Sequence, residues 1–461
     1  MKLRALTFLT LLALAGGLIA AGISVKAAHA AGVTKYTGSI AGAAYVVEVP
    51  AQWNGTLVLY SHGYVQPGAS NPARDAGDAA TGATLLSEGY ALAGSSYSTT
   101  GWAIQQALHD QIALLDAFPT ITGLSSPART IAWGHSLGGI ITAGLTQLNP
   151  DRFAGALPMC GVLSGGVGTW NVALDGAFAL KLLLAGNQPL QLVHITNPGA
   201  NLALAEQILG AAQSTPQGRA RLALSAALAD LPGWFDPASP EPAATDFAAQ
   251  ERNQFLWETQ VDGPFEFALR AELEARAGGN PSWNVGVNYE KQLAHSVDLA
   301  EVEALYQQAG MSLSDDLAAL QQAPRIAADP GAVSYLAQNI VFDGQIGVPV
   351  LTMHTTGDGL VINENEQAYA GVVRSNGNNP LLREIFVHRA GHCSFTPAET
   401  VTAFQTLIER VDTGKWRGST DPALLNQQAA ALGPQLNVAP PAFLDFQPTV
   451  FPRPFDTGDL G

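Results

Sequence analysis

The run Thr130-Ile-Ala-Trp-Gly134-His135-Ser136-Leu137-Gly138-Gly139 constrains this chain more than any other stretch. An apolar strand rich in β-branched and aromatic residues breaks sharply, a serine stands at the break, and an apolar helical run from Ile140 to Leu148 follows, closed by Asn149-Pro150. The turn in such a G-x-S-x-G pattern is so tight that the flanking positions must be nearly free of side chain, which Gly134 and Gly138 supply, and the strain lifts the Ser136 hydroxyl into the open. A serine so placed stands at the carboxyl end of a strand and the N-terminus of a helix, where free backbone N–H groups and the helix dipole favour negative charge. The Leu137 N–H is then one donor to an oxyanion. In a chain with 48 glycines a bare match also arises by chance. The strand before it and the helix after it are the context that sets this one apart.

The same alternation extends on both sides. Residues 36–40 and 43–49 read as an antiparallel hairpin, and 55–61 as a continuous apolar run of the kind found in a central buried strand, ending in His62-Gly63-Tyr64. A helix over about 76–89, a strand over 90–96, an amphipathic helix over 103–118 and, after the serine unit, a short strand over 153–161 complete the first part. Strands alternating with helices imply a parallel sheet with helices on both faces. From about 163 to 339 the alternation stops, and seven amphipathic helical runs with no strand signal are punctuated by Pro and Gly clusters such as Pro232-Gly233 and Gly278-Gly-Asn-Pro281. A strand over 348–354 then leads to Gly357-Asp358-Gly359, a helix over 363–374 and a strand over 383–388 follow, and Arg389-Ala-Gly391-His392-Cys393 precedes a helix started by Thr396-Pro397.

The chain thus divides into an α/β core over 31–163 and 340–412, a helical cap over 164–339, and a Pro-rich extension over 413–461, expected to lie on the surface or to be partly disordered, without regular elements. Residues 1–30 carry Lys2 and Arg4, an apolar stretch, and Ala28-His29-Ala30. That is a signal peptide cleaved after Ala30, which implies a secreted or periplasmic protein; the alternative is an uncleaved anchor. The mature chain is expected to have no stable membrane association. With 22 basic against 38 acidic residues the net charge is −16, which repels nucleic-acid phosphates, so nucleic-acid binding is excluded.

A serine needs a base within hydrogen-bond reach and an acid to orient that base. Of nine histidines, His29 leaves with the signal peptide, His62, His109 and His135 precede the serine, His194 and His295 lie in the helical stretch, and His354 and His388 lie on strands. His392 remains, after the last strand and its Gly391 turn. Asp358, in the turn that ends the preceding strand, is the matching acid; its rival Asp343 lies at the wrong end of that strand. The loop after His62-Gly63 supplies the second oxyanion donor, the Tyr64 N–H. Tyr97 and Trp102 are candidates for the substrate pocket. There is no Cys/His cluster with metal spacing and no Gly-rich phosphate loop, so neither metal nor cofactor is expected. The two cysteines of an exported chain, Cys160 and Cys393, permit one disulfide at the rim of the site, the alternative being two buried thiols.

With His62-Gly63, Gly134-His135-Ser136-Leu137-Gly138, Gly357-Asp358 and Gly391-His392 in this order, the chain resembles the α/β-hydrolase superfamily, specifically secreted bacterial esterase-like members with a helical cap. The likeness covers about 33–160 and 348–411. It implies an α/β-hydrolase fold and a Ser–His–Asp mechanism, and it names no substrate. Feruloyl esterases and tannases look similar in tying the histidine loop by a disulfide, but there the partner cysteine directly precedes the serine, a place held here by His135.

The expected function is a secreted serine hydrolase cleaving carboxylic esters of small-molecule or polymeric substrates. One rival uses the same residues on an amide, as exopeptidases of this fold do, with a carboxylate among Glu251, Glu258, Asp262, Glu266, Glu272 and Glu274 holding a substrate amino group; the plainer reading, a solvated acidic helix face, is preferred. Another rival is a catalytically silent binding protein. Oligomeric state is not legible.

Overall fold

The computed structural model describes residues 24–30 and 32–455. Its strands are β1 (Ser24–Ala30), β2 (Val33–Ile40), β3 (Ala43–Pro50), β4 (Thr56–Ser61), β5 (Ala91–Ser95), β6 (Arg129–His135), β7 (Gly155–Met159), β8 (Val350–Gly357), β9 (Leu382–Ala390) and β10 (Phe443–Leu444). They form one sheet in the order β1-β2-β3-β5-β4-β6-β7-β8-β9-β10. The six strands from β5 to β9 are parallel, while β1 to β3 and β10 are antiparallel to their neighbours. The hairpin between β2 and β3 turns on Ala41 and Gly42, both at positive φ, the geometry that matches the twist of its strands. Of the expected signal peptide, residues 1–23 lie outside the described residues. Ser24–Ala30 pairs along the edge of the sheet with β2, so cleavage after Ala30 would leave β2 as the edge strand.

Strands β4 and β6 are buried at nearly every position, with apolar residues at their centres, because both of their faces are covered. Helices α1 (Ala79–Ser87), α2 (Ile104–Thr122) and α3 (Leu137–Leu148) supply part of that cover. Between β7 and β8 the chain is helical: α4 (Gly165–Leu184), α5 (Pro198–Gln213), α6 (Pro216–Leu228), α7 (Phe247–Trp257), α8 (Arg270–Ala277), α9 (Tyr289–Leu293), α10 (Leu299–Ala309), α11 (Leu313–Gln322) and α12 (Pro330–Gln338). A second apolar cluster forms among them, with Phe178, Leu224, Phe267 and Tyr306 at its centre. Helix α4 is long and apolar enough to cross a membrane, but it is the buried axis of this layer, with Asp175 fully enclosed. Helices α13 (Glu364–Ser375) and α14 (Pro397–Thr413) pack against β9 and against β7 and β8 respectively. Thr396 and Glu399 close the start of α14 with a reciprocal capping box.

Two expectations about regularity fail. Two of the seven helical runs, 247–256 and 265–277, read as separate helices, yet α7 runs into α8 through two widened turns, Glu258–Asp262 and Phe265–Leu269. The Gly263 N–H reaches back five residues to the Glu258 carbonyl, and the widening accommodates Pro264 without ending the helix. The C-terminal extension is also regular in part. A helix α15 (Pro422–Ala431) packs on α14, β10 pairs with β9, and Phe451 and Phe455 are buried. Its prolines exclude long helices, but an aspartate cap at Asp421 followed by Pro422 starts a short one.

Candidate active site

Ser136 stands between β6 and α3 at φ 59° and ψ −125°, a backbone region that residues with a side chain rarely adopt. The turn needs its glycines. A side chain on Gly134 would run into the Gly138 and Ser61 carbonyls, and one on Gly138 into the Ser61 backbone. Gly139 packs against Gly161 in the same way, so the helix after the serine lies directly on the β7 exit. The Ser136 N–H is bonded to the Met159 carbonyl at 3.0 Å, which fixes the serine to β7 as well as to its own strand.

Asp358 and His392, 34 residues apart, are brought together at the carboxyl ends of β8 and β9, with His392 Nδ1 2.8 Å from Asp358 Oδ2. Asp343 is exposed before the other end of β8, where its N–H donates to Gln147 Oε1 on α3 and its carboxylate accepts from the Gln345 N–H, far from His392 in the chain and in no bond with it. Asp358 is fully buried. Burial works to raise its carboxyl, but His392 and His354 together hold it well below the ordinary carboxylate range. His354 is the residue that strand position had set aside. It lies buried behind the aspartate, Nε2 at 3.4 Å from Asp358 Oδ2 and 2.8 Å from the Val361 carbonyl, with Nδ1 at 2.9 Å from Glu366 Oε1. Burial opposes its charge, yet the two carboxylates push it up to about 10.

Cys160 and Cys393 form a disulfide with Cα atoms 5.4 Å apart. It joins the exit of β7 to the residue after His392, and Cys393 Sγ lies 3.4 Å from His392 Nε2. His135 occupies the position before the serine. Its Nδ1 shares a hydrogen bond with the Tyr60 hydroxyl at 3.2 Å, and burial holds it down to about 4, so it is neutral at pH 7. Among the described residues no hydrogen bond joins Ser136 to His392; in sites of this kind that bond often tightens only when substrate is present. Cys160, His392 and Cys393 are also a group of potential metal ligands within 4.8 Å of one another, but both sulfurs are tied in the disulfide.

Ser136 opens on a cavity of about 70 Å³. Leu137 and Tyr64 line it beside the serine, and Gly63 comes so close that a side chain there would lie 3.3 Å from Ser136 Cβ. Trp102 also lines it. Tyr97 does not: at φ 61° it turns beneath the sheet end, stacks on His62 at 4.1 Å and donates to the His62 carbonyl at 3.0 Å. It supports the His62-Gly63 loop instead of facing substrate. The roof comes from α4, through Trp170, and from the widened segment, through Asp262, Phe265 and Glu266.

The acidic residues of this region are not a solvated face. Glu251, Glu258, Asp262, Glu266 and Glu274 are all buried. Glu272 and Glu274 are paired with Arg276 and Arg270, and Glu251 meets Gln213. Glu258, Asp262 and Glu266 each keep a buried oxygen without a partner. Helical spacing alone could not separate these from exposed acids, because the helix bearing them is covered on more than one side.

No family model matches the sequence. Among curated proteins, the o-phthalyl amidase of Xanthobacter agilis is 31% identical over 421 residues, covering 85% of this chain and 89% of that protein. Among solved structures, an esterase from Aspergillus oryzae is similar with a TM-score of 0.41 at 13% identity, over 83% of this chain and 80% of that one. The rice cell wall degrading esterase LipA from Xanthomonas oryzae is similar with a TM-score of 0.36 at 15% identity, over 83% and 88%. Superpositions this loose do not bear on the substrate.

Proposed function

We propose, from the premise that the chain belongs to the α/β-hydrolase superfamily and within it to the family of o-phthalyl amidase, that this hydrolase cleaves carboxylic esters through an acyl-enzyme on Ser136. Ser136 attacks the carbonyl carbon, His392 takes its proton and returns it to the leaving oxygen, and Asp358 holds the imidazole and stabilises its charged form. The Leu137 and Tyr64 N–H groups bind the tetrahedral oxyanion, and water resolves the acyl-enzyme; loss of one such donor costs about 3–4 kcal/mol of transition-state stabilisation.

The observation that carries this reading is the strained Ser136 backbone at the edge of a cavity, where a strand ends and a helix begins. The Asp358–His392 bond and the disulfide that ties its loop support it. Ser136→Ala should lower kcat for a 4-nitrophenyl ester by a factor on the order of 10⁵ to 10⁶, and a serine-directed fluorophosphonate should label Ser136 in the parent. Retained turnover in the variant would end the proposal, and failure to label would favour a silent binding protein.

Amide cleavage is the second reading, favoured by the relation to a protein named as an amidase. An ester and an anilide of one acyl group separate the two, by whether kcat/KM for the anilide comes within about a hundredfold of that for the ester. The disulfide also supports an extracytoplasmic location, and N-terminal sequencing of exported protein, expected to start at Ala31, tests it.

A further inference from the structure

The cavity beside Ser136 joins two features that the acyl-transfer chemistry leaves unused: unpaired carboxyls and a box of aromatic rings. Asp262 and Glu266 line it at 8% and 7% exposure, and Asp262 Oδ2 and Glu266 Oε2 are buried without a hydrogen-bond partner. Glu258, four residues before Asp262, is in the same condition at Oε2. Arg270, four residues after Glu266, is already committed. It donates to Glu274 Oε1 at 3.1 Å and to Asn280 Oδ1 at 2.8 Å, and it stacks over Trp170 at 5.5 Å. One buried cation therefore stands against Glu258, Asp262, Glu266 and Glu274. Burial, and after it the neighbouring acids, push Asp262 and Glu266 well above the usual carboxylate range, as expected of acids that lack a counter-charge.

The aromatic residues are arranged in two pairs. Tyr64 meets Phe265 edge to face at 5.1 Å, and Trp102 meets Trp170 at 5.7 Å, all four lining the same cavity. Ring faces carry negative charge density and attract cations, most strongly where water is excluded. Acids raised for want of a counter-charge ionise more readily beside a bound cation, and the ring faces favour one as well; the indole N–H groups of Trp102 and Trp170, also without partners, are left to donate to a substrate's acceptors. The carboxyls also sit on the widened helical turns, a distortion that recurs at functional sites.

We propose that this end of the cavity is a cation subsite, which takes an ammonium group carried by the substrate, with Asp262 and Glu266 as counter-charges and Tyr64, Trp102, Trp170 and Phe265 as walls. The substrates it selects are small amino- or alkylammonium-substituted esters and amides. This rests on the reading of Ser136 as the nucleophile of that cavity.

Calorimetry at pH 7 with butylammonium, 1-butanol and butyrate, matched in chain and different in charge, tests it without turnover. Butylammonium should bind at least tenfold tighter than either of the others, should slow fluorophosphonate labelling of Ser136, and should lose most of its advantage in Asp262→Asn and in Glu266→Gln. The proposal is overturned if 1-butanol matches the cation, if butyrate binds tighter, or if both variants fold and keep the preference. Should neither variant fold, the comparison of the three probes on the parent protein decides by itself. A protein that labels at Ser136 without preferring the cation refutes the subsite alone, whereas one that does not label refutes the hydrolytic reading, whatever the three probes show.

Discussion

At the scale of single residues, His354 is the instructive case. Its place on a strand and its apolar neighbours read as a core histidine, and nothing local announces that Glu366 and Asp358 meet it from two sides. Asp358 and His392 were legible because each follows a strand in a glycine turn, so chain order alone brings them to one sheet end. Tyr97 was misplaced because its positive φ is a tertiary fact with no local signal. The buried His354 links the aspartate to the interior, and His354→Ala would leave Glu366 enclosed without its histidine partner and Asp358 with His392 alone, a change that typically costs about 3–5 kcal/mol. The sign of the pH dependence follows from the two displaced groups. The raised His354 contributes stability that is complete below the ordinary histidine value of about 6.5 and is lost as pH climbs toward about 10. The depressed Asp358 contributes stability that is complete above the ordinary aspartate value of about 4 and is lost as pH falls through its lowered value. Urea midpoints of parent and variant should therefore differ most between about pH 4 and 6.5 and converge on either side. A difference that does not vary with pH would show that His354 serves as packing only.

At the scale of elements, the exits of β7 and β9 are held by the Cys160–Cys393 bond, which spans 233 residues of sequence. Its count was legible from two cysteines in a chain read as exported. Its bearing on His392 was legible as well, because Cys393 is the residue after the histidine in the chain. The widened turns before α8 were illegible: Gly263-Pro264 is a strong local break signal that the surrounding packing overrides. In the chain-entropy model a bridge of this span stabilises by about 5 kcal/mol. It also limits how far the His392 loop can move from β7, so its removal should act on rate before it acts on folding. Reduction, or the double change Cys160→Ser and Cys393→Ser, should lower kcat at least tenfold at a temperature where circular dichroism still reports the folded state, while the parent shows no thiols in denaturant before reduction. Full kcat in the folded, reduced protein would mean that the bridge does not position the base.

At the scale of the whole molecule, the sheet and the helical layer are joined by a strap that composition concealed. After β10 the chain crosses from the sheet edge past α13, where the Phe451 N–H bonds to Gln367, to the layer, where Arg453 pairs with the buried Asp175 on α4 at 2.7 Å. Pro-rich sequence reads as irregular, and it is; its order comes from what it touches. The layer it anchors is unusual in the acids it encloses. Burial pushes Glu301 up to about 9, Glu251 and Asp298 up to about 7, and, beside the strap, Glu364 up to about 8. An acid raised in the folded state leaves stability untouched below its ordinary value near 4.3 and lowers it progressively as pH rises, until its folded value is passed. Summed over several such groups, the melting temperature should be higher near pH 5 than near pH 9. Glu301 isolates the effect, because its partner Gln254 Nε2, at 3.0 Å, can donate equally to an amide oxygen. Glu301→Gln should therefore melt close to the parent at pH 4.5 and several degrees above it at pH 8 to 9, a gain on the order of 2 kcal/mol or more. Melting curves of the two proteins across that range measure it. A gap that stays flat with pH would show that Glu301 keeps its ordinary acidity in the folded layer, and that these acids do not set its stability.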